Sequence, residues 1–199
     1  MTEGPRRGRR PGRPDTRAEI LVAARNAFAE QGFAGTTIRA IANAAGVDTA
    51  LVHHYFGSKD DLFVAALEAP VDPREVISAA VAGQPEQAGE ALVRAFLSVW
   101  DDPGLQPGLL ALVRRVLEPG GDRLVRDGFV PVVLVPIGEQ LGLDRPSLRM
   151  PLVASQVIGL ILARYVVRLE PVASLHPEVL VGIYGPTIQR YLTGELPPG

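Results

Sequence analysis

The chain has 199 residues, 47% of them hydrophobic and none of them cysteine, with a formal net charge of −2. That length and apolar content suffice for one large or two small cores. The missing cysteines exclude disulfides, thiolate catalysis and thiolate metal sites and fit a reducing compartment, and the near-neutral total excludes a uniformly polybasic nucleic-acid binder.

The charge is unevenly placed. Residues 1–17 carry six arginines against Glu3 and Asp15, whereas residues 67–199 carry 11 basic and 15 acidic groups. Residues 1–15 hold Pro5, Pro11, Pro14, Gly4, Gly8 and Gly12 and almost nothing apolar, so they read as a flexible basic arm. This start lacks the apolar stretch of a signal peptide. Its run R-R-G-R-R-P-G-R-P is similar to a minor-groove AT-hook, with Arg10 and Arg13 as candidate DNA contacts. Pro11, however, stands where the hook's core wants arginine. An unstructured electrostatic tether is the alternative reading.

From Thr16 the period becomes helical. Ile20, Ala24, Ala27, Phe28 and Gln31 form one stripe, with Asp15 or Thr16 as cap and Gly32 as terminator. Thr36 or Thr37 caps a short second helix with Ile38, Ile41, Ala42 and Ala45 on its inner face. Gly46 occupies a left-handed turn, and Asp48 caps a third helix running to about His54. Ser58 and Asp61 set up a capping box for a fourth helix, and Pro70 and Pro73 stop it. Further helices are predicted near 73–82, 86–101, 107–118, 122–141, 146–169 and 176–193. Sustained strand alternation is absent, and Val130 to Val135 is the one β-branched run that competes with a helix. The fold class is therefore all-α: a flexible arm (1–15), a three-helix helix-turn-helix domain extended by the fourth helix (16–69) and a C-terminal helical domain (70–199).

The stretch TTIRAIANAAGVDTALVHHYFGSKDDLF, Thr36 to Phe63, carries the functional reading. Two short helices joined by a glycine turn make a helix-turn-helix. Ala42 and Ala45 let the second helix cross the first closely, and Thr49 and Ala50 present small groups where base edges lie in the major groove. Thr37 and the free amides at its helix start suit a phosphate. Lys59 is the single lysine of the chain and opposes the dipole of the helix it begins. Tyr55 and Phe56 read as packing against the first helix.

These residues resemble the tetracycline-repressor family of bacterial regulators over 16–63. The resemblance rests on Thr37, Ile41, Ala42, Ala45, Gly46, Val47, Tyr55, Phe56, Lys59 and Leu62, after the Phe28–Gln31–Gly32–Phe33 helix end. It departs from the family at His53, where tyrosine is usual, and at Leu51, where threonine is common. The resemblance implies DNA contacts by Arg39 and Lys59; with Thr36, Thr37, Thr49, Ala50, His53 and His54 they complete the candidate reading surface. It also implies a homodimer through the helices near 146–169 and 176–193, and a hydrophobic small-molecule effector held by Phe96, Trp100, Leu112, Arg115, Val116, Phe129, Gln156, Leu160 and Arg164. The expected activity is repression at a palindromic operator, relieved by the effector. A DNA-binding architectural or developmental regulator without an inducer is the alternative.

Other classes find no support. No G-x-S-x-G, P-loop, H-E-x-x-H or dinucleotide fingerprint occurs, so neither an enzyme nor a cofactor is expected. His53 and His54 point about 100° apart on a helix, without a ligand at i+3 or i+4, so no metal site is expected. Met150 to Val167 is interrupted by Ser155, Gln156 and Arg164 and reads as a covered helix rather than a membrane span. A cytoplasmic, nucleoid-associated protein follows.

Overall fold

The computed structural model describes residues 15–197, and among them every regular element is a helix. The first is α1 (Thr16–Gly35), whose buried stripe is Ile20, Leu21, Ala24 and Phe28. Asp15 caps it, its carboxylate accepting from the Ala18 amide at 3.2 Å. Gly32, at φ 71° and ψ 170°, breaks the helical path as predicted, and one short turn continues beyond it. Then come α2 (Ile38–Ala44), α3 (Thr49–Phe56) and α4 (Lys59–Leu67). The predicted capping box at α4 forms: the Ser58 hydroxyl accepts from the Asp61 amide, and the Asp61 carboxylate accepts from the Ser58 amide and hydroxyl.

Phe28, Phe33 and Phe63 tie α1 to α4. Phe28 and Phe33 stack at 5.7 Å, and Phe63 meets them edge-on at 5.2 and 5.5 Å. Such contacts fasten α1 to α4.

The rest of the chain comprises α5 (Pro73–Val81), a 3₁₀ turn (Pro85–Gln87), α6 (Ala88–Trp100), α7 (Gln106–Leu117), α8 (Gly121–Arg123), α9 (Val135–Gln140), α10 (Pro146–Ile161) and α11 (Pro177–Thr193). A π-helical segment, Leu124–Leu134, joins α8 to α9 without interruption, and Leu162–Val166 continues α10 in the same wide form. The β-branched run Val130 to Val135 is thus helical. Pro131 lies inside the π segment, where it lacks an amide to donate and its ring crowds the preceding turn; a wider turn relieves both. The helix predicted near 146–169 ends three residues early: by Arg168 the backbone is left-handed at φ 55°.

Helices α6 and α11 make the most intimate crossing. Gly89 donates its amide to the Gln189 side chain at 2.8 Å, and that side chain donates in turn to the Pro85 carbonyl. Gln189 therefore caps α6, which has no side-chain cap of its own. At the start of α10, Arg149 is 4% exposed and donates to Asp144 and to the Tyr191 carbonyl, fastening α10 to α11.

Several contacts connect this body to the first four helices. The π segment leans on the phenylalanine knot: a Cβ at Gly128 would lie 2.4 Å from the Phe63 ring. On another side, Glu68 at the end of α4 pairs with both Arg25 of α1 and Arg115 of α7. Arg115 also donates to the Leu67 carbonyl at 2.7 Å.

Pro146–Val166 is, by length and composition alone, apolar enough to cross a membrane, and 22% of its most apolar window is buried. Its exposed large apolar side chains include Leu148, Ile158 and Val166. On α11, Val179 and Ile183 are exposed in the same way. Both helices thus present apolar surface that the other described residues do not cover.

Candidate nucleic-acid interface

Helices α2 and α3 are joined by a turn with specific hydrogen bonding. Ala45 donates to Ile41, Gly46 to Asn43 and Val47 to Ala42. Gly46 sits at φ 67° with open space around its Cα, so the left-handed backbone, rather than crowding, is what calls for glycine there. The Thr37 hydroxyl accepts from the Ala40 amide at 3.1 Å and starts α2; the Asp48 carboxylate accepts from the Ala50 amide at 2.7 Å and starts α3. Ile41, Ala42, Val52 and Phe56 are buried where the helices cross.

This packing decides which side chains remain outward. With Val52 and Phe56 inward, Ala50, His53 and His54 fall on the exposed side of α3, while Thr49 is half-buried. The His53 Nδ1 lies 2.7 Å from the Gly57 carbonyl oxygen. Arg39 projects from α2 and forms no hydrogen bond or ion pair with a described residue, and Thr37 is exposed beside it. These groups share the outer side of the motif. Arg10 and Arg13 lie outside the described residues.

Thr36 departs from the expected reading surface. It is 1% exposed, and its hydroxyl donates to the Gly32 carbonyl at 2.7 Å and the Ala27 carbonyl at 3.0 Å. Past the break the Thr36 amide donates to Phe33 rather than to Gly32, and the Thr36 hydroxyl satisfies the Gly32 carbonyl that this leaves without a helical partner. It is therefore a structural residue, and Thr37 alone of the pair faces solvent as a cap. Thr36→Val keeps the shape and removes the donor. We expect it to cost about 1–3 kcal/mol of stability, read as a lower thermal midpoint; an unchanged midpoint would refute the assignment.

Tyr55 also departs from expectation. It is 43% exposed and meets His54 edge-on at 5.6 Å, whereas Phe56 is buried. Neighbouring helical residues point about 100° apart, so the two could not both face α1. The exposed Tyr55 ring extends the outer side of α3.

Lys59 lies over the Phe33 ring, its Nζ 4.2 Å from the centroid. Partial burial lowers its pKa from the ordinary lysine value, against the opposing pull of Asp60. At the other end of the capping box, the Ser58 hydroxyl and then the Arg74 guanidinium hold the Asp61 carboxyl below the usual range, and Arg74 does the same to Asp72. Arg74 of α5 thereby links α4 to the body, at 2.8 Å from each carboxylate. The link to Asp61 is not visible in the sequence pattern, because Asp61 and Arg74 lie 13 residues apart on different helices.

The nine expected effector residues are not gathered around one cavity. Leu160 is buried in the main core, with Leu112 and Phe129 packed against it. Trp100 stacks obliquely on Tyr165 at 5.1 Å and on Phe96 at 5.7 Å in a separate cluster with Leu109. Val116 and Gln156 are half-buried elsewhere. Arg115 serves the Glu68 bridge. Arg164 pairs with Asp101 and donates to the carbonyls of Val172, Ala173 and Leu175. Burial, with a hydrogen bond to Asp101, raises the Tyr165 pKa. A cleft of about 340 Å³ beside this group is lined by Asp101, Gln106, Arg164, Tyr165, Arg168 and Glu170, a polar rather than apolar wall. A second cleft, of about 400 Å³, lies between α1, α4 and the start of α5, with Arg17, Asp61, Glu68 and Arg74 on its walls. Among the described residues no cluster of three or more metal-ligating side chains occurs.

Residues 20–66 match the family model for bacterial regulatory proteins, tetR family, and residues 86–192 match the tetracyclin repressor-like C-terminal domain. The chain is 29% identical over 114 residues to the HTH-type transcriptional regulator BetI of Paraburkholderia phytofirmans, covering 48% of this chain and 58% of that protein. It is 42% identical over 65 residues to the HTH-type transcriptional repressor AcnR of Corynebacterium glutamicum, covering 32% of this chain and 35% of that protein. The chain thus spans little more than half the length of the first curated relatives it matches. A solved TetR-family regulator from Streptomyces coelicolor A3 is 41% identical across 93% of this chain and 98% of that one, with a TM-score of 0.47.

Proposed function

The chain belongs to the tetR family of bacterial regulatory proteins, and from that premise we propose that it is a cytoplasmic repressor that binds a palindromic operator as a homodimer. The observation that carries this reading is the outer side of α3. Ala50, His53 and His54 are exposed there, Val52 and Phe56 anchor the helix from behind, and Arg39, which pairs with no described residue, and the exposed cap Thr37 stand alongside at the start of α2. Small and polar groups on a rigid helix suit a major groove. In this reading residues 16–69 read DNA, residues 70–199 dimerise and sense, and the basic arm adds salt-sensitive affinity.

The dimer forms through α10 and α11, whose uncovered apolar surface supports that role. An effector acts by population shift: it binds one spacing of the two α3 helices better than the other and changes operator affinity by that difference. The Glu68 bridge, the Arg74–Asp61 pair and the contact of Gly128 with Phe63 are among the mechanical links available for transmission. The dispersal of the nine effector candidates favours a second reading, regulation without an inducer. A thermal-shift screen with hydrophobic small molecules separates the two, since a stabilising compound that also weakens operator binding supports the first.

The central test is footprinting of the full chain on DNA selected from a random library. Two protected half-sites about 34–36 Å apart are expected, and no discrete footprint would refute the reading. Arg39→Ala should then weaken operator binding. Loss of a base contact costs about 1–3 kcal/mol and relaxes one position, whereas loss of a phosphate contact lowers the salt slope by about 1 per half-site. Unchanged affinity and unchanged slope would remove Arg39 from the interface.

A further inference from the structure

The outward position of His53 carries a finer inference, which rests on the DNA-reading function proposed above. The His53 Nδ1 lies 2.7 Å from the Gly57 carbonyl oxygen, and the Gly57 amide donates back to the His53 carbonyl at 2.8 Å. A carbonyl oxygen only accepts, so Nδ1 carries the proton. Gly57 reaches this arrangement at φ 77° and ψ −90°, a backbone conformation open to glycine. The reciprocal pair closes the end of α3 and locks both the orientation and the tautomer of the ring.

A neutral imidazole with its proton on Nδ1 leaves a lone pair on Nε2. An acceptor there cannot serve a phosphate oxygen, which itself only accepts. The major groove offers amino donors at two places, N4 of cytosine and N6 of adenine, while guanine and thymine present acceptors and a methyl group. Ala50, one turn back on the same side, is small enough to let the helix approach the base edges.

We propose that His53 is a specificity-determining residue whose Nε2 accepts a hydrogen bond from the exocyclic amino group of a cytosine or adenine in each half-site. The chain supplies an internal reference. The His176 Nδ1 accepts from the Glu178 amide at 3.3 Å, so that ring carries its proton on Nε2.

The test has two parts, both on the full-length protein. Nitrogen-15 NMR of labelled histidine reads the tautomers, with signals assigned through His53→Phe. His53 should show the Nδ1–H form and His176 the Nε2–H form; an Nε2–H or doubly protonated His53 overturns the proposal. In the second part, wild-type protein is titrated onto its library-selected operator with single bases replaced by analogues lacking the amino group, purine for adenine and 2-pyrimidinone for cytosine. One symmetric position should lose about tenfold in affinity, and the analogue that does so identifies the base. His53→Phe should lose discrimination at that position only. If DNA is selected but no deaminated position matters beyond those that still matter to His53→Phe, the inference fails while the regulator reading stands; if no DNA is selected, the regulator reading itself fails.

Discussion

Gly89→Ala should destabilise the protein by about 3 kcal/mol, at the upper end of what overpacking costs. A Cβ at this position would lie 2.4 Å from the Gly185 carbonyl oxygen, 2.6 Å from the Gln189 amide nitrogen and 2.9 Å from the Gln189 Cα. All three are backbone atoms of α11, which cannot rotate aside, so α6 and α11 must separate. Separation breaks the Gly89–Gln189 hydrogen bond and loosens the packing of Val93 and Leu97 on one helix and Val181, Ile188 and Leu192 on the other. The reverse substitution on the partner helix is a natural comparison. A Cβ at Gly185 meets the Glu90 Cγ at 2.7 Å but backbone no nearer than 3.1 Å, and the glutamate side chain can swing away. Urea denaturation should therefore rank Gly89→Ala well below Gly185→Ala, and both below wild type. Equal midpoints for the two variants would show that the crossing is more compliant than its geometry implies.

How much of this was legible in the sequence follows from how local each feature is. Helices α1 to α4 announce themselves by caps and breakers within four residues of the groups they serve: Asp15, Gly32, Thr37, Gly46, Asp48 and Ser58 all act where expected. Thr36 was ambiguous because a cap and a buried donor use the same hydroxyl, and only the path of the chain after Gly32 decides between them. Tyr55 and Phe56 look alike in the sequence, and only the helical rotation between neighbours separates the exposed ring from the buried one. The π form of Leu124–Leu134 has no period that distinguishes it from an ordinary amphipathic helix, so its position was readable and its width was not. The effector residues were the least legible. An aromatic such as Trp100 looks the same in a sequence whether it lines a cavity or packs on Tyr165, and an arginine such as Arg115 does not reveal that its partner, Glu68, lies 47 residues away. Tertiary ion pairs and tautomers, including that of His53, emerge only when distant or turn-related groups are placed together.

Ile183→Asp should have the larger functional effect, because it strikes a surface that the proposed dimer uses twice. Ile183 is 55% exposed on α11, with Val179 at 46% one turn before it and Ile158 at 43% on α10. Gly159 and Gly182 adjoin these residues in sequence, and a Cβ at either would meet no described atom within 4 Å, so a partner helix can come close there. In a two-fold dimer each patch meets its own copy, and one substitution places two carboxylates in the interface. Neither charge has a partner there, and desolvating either one is costly. The folded monomer loses little, because Ile183 is not part of its core, so cooperative unfolding at the wild-type denaturant concentration is a required control. Sedimentation at micromolar concentration should then show a monomer. Operator affinity should fall by roughly 10²–10⁴-fold, since a lone recognition helix loses the effective concentration that its tethered twin provides. A half-site duplex makes the decisive comparison. Wild type and variant should bind it about equally if only dimerisation is damaged, whereas a variant that stays dimeric and binds the full operator normally would place the interface elsewhere on the molecule.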